Sequence, residues 1–421
     1  MFEFLEKFWN FDKKIVKLAE KINADCTEKF VEIEQISAYN NAKVLSAFIK
    51  NKVSAQSLIG STGYGYGDFG KDTIDSVFAT IFGCKDALVR HNFVSGTHAI
   101  STVLFGLLRP GDSVVSVTGK PYDTLYNIIG DNEIDGSLKN FGIDWFNYDV
   151  VDKNNIKFYN RLKNAKIAYI QRSKGYSLRP AYTVFEIEKI IQNVKNINEN
   201  IIIVVDNCYG EFVQNIEPTE VGADIVVGSL IKNPGGGIAR TGGYICGKSD
   251  LITKCANRLT VIGMGKEIGC TLDTNREILL GVYNSPNVVA NARKIGLFTA
   301  KLFAELGYET FPKFDEQTGD IVVAIKFGHK ELLVTFCQGI QACSPIDSYV
   351  TPIPWAMPGY NCDVIMAAGA FTNGSSIELS ADAPLREPYA VWLQGGTNYT
   401  NGIIGVLNAT NILLQKGFIK I

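Results

Sequence analysis

Histidine is scarce, with three in 421 residues. The nine cysteines are scattered, and no two form a Cys-x-x-Cys pair. No cluster of carboxylates or histidines has ligand spacing, so zinc, iron–sulfur or other metal chemistry is not expected. An odd number of unpatterned cysteines predicts reduced, mostly buried thiols and a cytoplasmic setting. No apolar run reaches the roughly 20 residues that span a bilayer. The first fourteen residues lack a basic stretch followed by an apolar core, so no secretory signal is expected. Charge of one sign is also missing. Lys and Arg number 41 against 43 acids, a net charge of −2. Without a basic field, nucleic acid is not expected as a partner.

Apolar residues are plentiful at 46%, beside 20% charged residues, which excludes disorder as the main state. The length predicts two or three domains. Glycine stands out at 40 residues, above the typical ~7%. Five glycines and two tyrosines fall between Gly60 and Gly70, too many for a plain linker. Before that loop, Phe11–Ile22 and Lys29–Ile49 carry helical periodicity. After it, short strands alternate with helices. Strands are predicted at Ala87–Arg90, Ser113–Val117, Ile167–Ile170, Ile201–Val205, Ile225–Val227 and Gly243–Cys246. Helices are predicted at His98–Leu108 and Val184–Val194. That alternation predicts an α/β layered domain with its site at the carboxyl ends of the strands. The pattern changes near Ala292. Beyond it, Ala300–Leu306 reads as helix, and Asp320–Phe327 and Ser376–Leu379 as strands of a smaller α+β domain. The division is therefore 1–60 helical, 61–292 large domain and 293–421 small domain.

Four motifs carry chemistry. The apolar run Ile201–Val205 ends in Asp206, with Tyr209 three residues later. An acid there is costly unless paired, and a loop-capping aspartate is the plain alternative. A second apolar strand leads to Ser229 and Lys232, followed by Gly235, Gly236 and Gly237. A desolvated lysine there should have a lowered pKa and suits a Schiff base; a snorkelling surface lysine is the alternative. Ser95, Gly96 and Thr97 open a helix, where amide groups and hydroxyls suit a phosphate, although both residues also serve as simple caps. Tyr122 follows a strand and could cover a flat ring, or simply pack in the core. In chain order these are a phosphate turn, an aromatic, an aspartate, a tyrosine, a serine and a lysine. Pyridoxal 5′-phosphate needs such a set: a lysine for its aldehyde, an acid for its pyridine nitrogen and donors for its phosphate.

From about residue 60 onward the chain resembles the aluminium-resistance, or methionine γ-lyase-like, branch of the cystathionine- and methionine-lyase class. The resemblance rests on Gly63-Tyr64-Gly65-Tyr66-Gly67-Asp68, Ser95-Gly96-Thr97, Pro121-Tyr122-Asp123-Thr124 and Gln171-Arg172-Ser173-Lys174-Gly175-Tyr176. It rests equally on Asp206-Asn207-Cys208-Tyr209-Gly210-Glu211-Phe212, the run Ser229 to Gly237, and Ser380 to Tyr389 with Arg386 inside it.

The resemblance implies a fold-type I, aspartate aminotransferase-like architecture: a large, mostly parallel seven-stranded sheet between helices, plus a smaller α+β domain. It implies that pyridoxal phosphate is held as a Schiff base on Lys232. Asp206 would pair with the pyridine nitrogen, Tyr122 would stack on the ring, and Tyr209 would reach its phenolic oxygen. Ser95, Gly96, Thr97 and Ser229 would hold the phosphate. Tyr64 and Tyr66 would enter a neighbouring subunit's site, which implies a homo-oligomer, a dimer or tetramer. Arg386, then Arg172, then Arg179 are candidates for the substrate carboxylate. The implied activity is carbon–sulfur bond cleavage in a cystathionine- or methionine-like amino acid, by β- or γ-elimination. An aminotransferase, or a cofactor-binding regulator without turnover, would use the same scaffold.

Overall fold

The computed structural model describes residues 2–131, 134–149, 155–357 and 360–421. Seven short strands form one sheet: β1 (Asp86–Arg90), β2 (Ser113–Ser116), β3 (Asp144–Asn147), β4 (Ile167–Gln171), β5 (Ile202–Asp206), β6 (Ile225–Ser229) and β7 (Gly243–Gly247). Their order is β1-β7-β6-β5-β4-β2-β3. Strands β2 to β6 pair in parallel, and β7 runs antiparallel to both β1 and β6. The expected large, mostly parallel seven-stranded sheet is therefore present. It is apolar on both faces because side chains alternate along a strand. Ile203 and Val205 enter one core with Phe78, Phe82 and Tyr244. Val204 enters the opposite core with Leu104 and Ile245. Helices Gly96–Leu107 and Ser249–Leu259 cover the second face, while Phe69–Ile81 and Val184–Lys195 cover the first.

A second sheet combines β8 (Glu309–Phe311), β9 (Val323–Lys326), β10 (Val364–Ala367), β11 (Ser380–Pro384) and β12 (Ala390–Gln394) in the order β10-β11-β12-β9-β8. It is antiparallel throughout. Its core takes in Leu5, Ile15 and Ile22 from the N-terminal helices, whereas Val44 and Ala47 further along join the large-sheet core.

Two expectations meet a different structure. Residue 292 falls inside one continuous helix, Asn275–Glu305. Ile278 and Val282 of that helix pack in the large core, and Phe298 and Leu302 in the small one. The change in pattern near Ala292 marks a change in what the helix packs against. Ser376–Leu379 is irregular, and the strand begins at Ser380. Ile377 spends its backbone groups elsewhere: its N–H donates to Ile231 O at 3.0 Å, and its carbonyl accepts from Gly396 at 2.7 Å.

All nine cysteines are free, and Cys26, Cys208, Cys246, Cys255 and Cys337 are buried. Among the described residues, no helix is long and apolar enough to cross a membrane.

Candidate active site

Parallel strands deliver their carboxyl ends to one edge of a sheet. Gln171 ends β4, Asp206 ends β5 and Ser229 ends β6. All three line one cavity of about 250 Å³, together with Ser95, Gly96, Thr97, Tyr122, Tyr209 and Lys232.

The phosphate-type end is built on the helix that begins at Gly96. Ser95 is its N-cap, its Oγ accepting from the His98 N–H at 3.1 Å. The first amides of a helix have no intrahelical acceptor and carry the positive end of its dipole. A Cβ at Gly96 would stand 3.3 Å from Ser229 Cβ and 3.4 Å from Cys208 Sγ, so only glycine brings this backbone against β6 without displacing a neighbour. Thr97 Oγ1 lies 2.8 Å from Thr124 Oγ1.

Asp206 sits across the cavity, 6% exposed. Tyr169 OH donates to its Oδ2 at 3.2 Å, and the Cys208 N–H to its Oδ1 at 3.2 Å. Lys232 follows β6 in a tight turn. A Cβ at Gly235 would come 1.7 Å from Leu230 O, so the glycine run exists to close that turn. Lys232 Nζ stands 4.2 Å from the Tyr209 ring centre. Tyr209 adopts a left-handed backbone with φ 69°, a cost of order 1–3 kcal/mol that functional sites concentrate.

The expected lowering of the Lys232 pKa does not hold for the free amine. Burial does pull it down. The charge of Asp206 opposes it, and Cys208, Tyr209 and Glu211, whose own pKa values burial raises, add to this only as they ionise; the net direction is above the ordinary lysine value. Desolvation was legible in the sequence; the acids gathered around the amine were not.

Tyr122 is anchored twice. Its N–H donates to Gln171 Oε1 at 2.6 Å, and its hydroxyl lies 2.7 Å from Tyr360 OH. Tyr176 packs beside it, ring centres 5.5 Å apart. Asp382 completes this wall, accepting from Tyr176 OH at 3.0 Å, Ser375 Oγ at 3.2 Å and Gln394 Nε2 at 3.0 Å. Burial raises its pKa, with those hydrogen bonds acting in opposition. The sequence reading missed Asp382, Tyr176, Tyr360 and Trp392 as cavity residues. The signal for Asp382 was an acid inside the otherwise uncharged Ser380–Pro384 strand.

The arginines sort differently. Arg172 is corrected: it is fully buried away from the cavity, donating to Asn207 Oδ1 at 2.8 Å and pairing with Glu217 at 3.4 Å. It follows Gln171, and strand alternation sends the two side chains to opposite sides. Arg179 is also engaged elsewhere, on the carbonyls of Gln171 and Ser173. Arg386 is exposed and pairs with Asp123, next to Tyr122, at 3.3 Å. Tyr64 and Tyr66 are 72% and 61% exposed, stacked on each other outside their own chain's cavity.

The cavity suits pyridoxal phosphate. It has a glycine-bared helix start at one end, a hydrogen-bonded carboxylate in its wall, and an amine reaching in between. Fold and site together define a fold-type I pyridoxal phosphate-dependent enzyme. A solved example of the same fold is the pyridoxal-5′-phosphate dependent protein YhfS from Escherichia coli, at TM-score 0.59 and 16% identity, covering 91% of this chain and 97% of that one. The chain belongs to the methionine gamma-lyase family, whose model matches residues 15–414. It is similar to the carbon-sulfur lyase involved in aluminum resistance from Clostridium novyi NT, with TM-score 0.91 and 44% identity, covering 97% of this chain and 98% of that one. It is also 47% identical over 410 residues to the uncharacterized protein YnbB of Bacillus subtilis (strain 168), covering 96% of this chain and 97% of the relative. The protein is therefore a pyridoxal phosphate-dependent enzyme of the lyase type.

Proposed function

We propose that this chain cleaves a carbon–sulfur bond in a cystathionine- or methionine-like amino acid by β- or γ-elimination, with the cofactor bound covalently through Lys232. The observation that carries the reading is the meeting of Lys232, Asp206 and the Ser95–Thr97 helix start on one cavity.

When bound, the cofactor supplies an electron-withdrawing ring that stabilises charge developing at the substrate's α-carbon. Asp206 holds a proton on the ring nitrogen, and Tyr169 and the Cys208 N–H hold Asp206 in place. Amides and hydroxyls of Ser95, Gly96, Thr97 and Ser229 bind the phosphate without adding charge. Tyr122 would form the wall beside the ring, and Tyr209 would donate to its phenolic oxygen; both line the cavity. Lys232 Nζ, freed when the substrate's amine takes its place, would take the α-proton, which requires an unprotonated amine. Asp206 is among the groups that favour the protonated amine, and a positive ring nitrogen paired with it would offset that effect. Arg386 binds the substrate carboxylate once released from Asp123.

A cytoplasmic homo-oligomer, dimer or tetramer, fits the exposed Tyr64 and Tyr66, which would complete a neighbour's phosphate site. The experiment is a panel of sulfur amino acids assayed for 2-oxo acid and thiol release, with wild type and Lys232→Ala side by side. The wild type should be yellow and release both products, and the variant neither. Amino-group transfer to an acceptor without thiol release would instead assign an aminotransferase.

A further inference from the structure

A second cavity, of about 230 Å³, lies between helix Thr27–Lys50, helix Asn275–Glu305 and the segment joining β8 to β9. Arg293 lines it. Its Nε and Nη1 are buried and have no hydrogen-bond partner among the described residues. A guanidinium loses several kcal/mol of hydration on burial unless acceptors replace the water. Burial brings the Arg293 pKa down to about 10; Glu32 pulls it back up, and nearby Arg172 pushes it further down. The charge is therefore under-compensated in a space too large for a single water.

The surroundings narrow the class of counter-ion. Ile33, Ile36, Leu297 and Val323 give one side of the cavity an apolar lining. Glu32, Glu316 and Asp320 line it too, and Lys29 and Lys313 offset two of those charges, so the cavity carries little charge beyond Arg293 and suits a singly charged anion better than phosphate. Asp320 is already engaged by Lys174 at 3.3 Å and Ser173 at 2.8 Å, so it does not answer Arg293, the lining cation whose buried donors lack acceptors among the described residues. We propose that Arg293 binds a small organic carboxylate, its fork on the carboxylate and the short apolar tail against Ile33, Ile36 and Leu297.

The site stands apart from Lys232 but shares a wall with it. Val322 lines both cavities, and its carbonyl accepts from Lys174 Nζ at 2.6 Å. Ser173, held by Asp320, lines the Lys232 cavity. An occupant at Arg293 would thus rest on the segment that supports the active-site wall.

Calorimetric titration of propionate into the cofactor-loaded protein tests the proposal. Saturable binding at one site per chain is expected, lost in Arg293→Met, weakened roughly tenfold in Arg293→Lys, and kept in Arg386→Gln. Equal binding to wild type and Arg293→Met, or no saturable binding to wild type, overturns it. Because Arg293→Met could fail to fold, a wild-type crystal grown with propionate gives an independent reading. Carboxylate density on Arg293 Nε and Nη1 supports the site. Water alone, or Glu32 turned onto the guanidinium, overturns it.

Discussion

Ile377 donates its backbone N–H to the carbonyl of Ile231 at 3.0 Å, one residue before Lys232. The small domain thereby holds the lysine turn of the large one. The bond explains why Ser376–Leu379 forms no strand. Ile377→Pro deletes this donor, and Ile377→Ala keeps it while losing similar packing. Cofactor affinity, read by absorbance titration, should fall roughly five- to tenfold more in the proline variant, the worth of about 1 kcal/mol. Equal losses in the two would assign the effect to packing.

Asp206 offers a negative charge where a neutral amide of the same shape would not. Asp206→Asn should still bind cofactor, since Lys232 and the phosphate-type end remain. Its rate of 2-oxo acid release should drop roughly 100-fold or more, the scale on which one preorganised electrostatic partner acts. Retention of near-normal turnover would remove Asp206 from the mechanism.

Arg172 and Arg386 should separate cleanly. Arg172→Met strands the buried Glu217 carboxylate and should cost about 3–5 kcal/mol in chemical denaturation. Its surviving folded fraction should keep the wild-type KM. Arg386→Gln should leave stability within about 0.5 kcal/mol, because an exposed ion pair contributes little, yet raise KM.

Glu211 gives a pH dependence of known sign. Its Oε1 accepts from Tyr244 OH at 2.5 Å, while its buried Oε2 has no partner. Burial is the main cause that pushes its pKa up to about 8. Between its ordinary carboxylate pKa and that value, the unfolded chain has lost the proton and the folded chain keeps it. Stability attributable to Glu211 therefore falls as pH rises through this window and levels off above it. Melting temperatures of wild type and Glu211→Gln should diverge from pH 5 to pH 8, with the variant ahead at pH 8. Parallel curves would contradict the assignment.

Much of this was legible without coordinates. Hydrophobic periodicity located the strands that end at Gln171, Asp206 and Ser229, because a strand buried on both faces must be apolar along its whole length. The glycines at 96 and 235 marked close backbone approach, which only a residue without a Cβ permits. Other features were hidden for physical reasons. Arg172 sits in a motif with cavity residues, and only the pleat decides that its neighbour Gln171 faces the cavity while Arg172 does not. Asp382 and Tyr360 reach the Lys232 cavity from the small domain, across more than a hundred residues of chain.

The sequence by itself determined the layered α/β fold, the order of the chemical groups and the kind of cofactor they suit. These are local properties: periodicity, turn chemistry and the side-chain types at strand ends. Tertiary structure alone decided what surrounds each charge. It placed Asp206 near Lys232, with Cys208, Tyr209 and Glu211 about it, and so turned the direction of its pKa shift upward. It left Arg293 Nε and Nη1 buried without a partner and buried Arg172 with one. Burial and electrostatics depend on distances between residues far apart in the chain, and those distances exist only once the chain has folded.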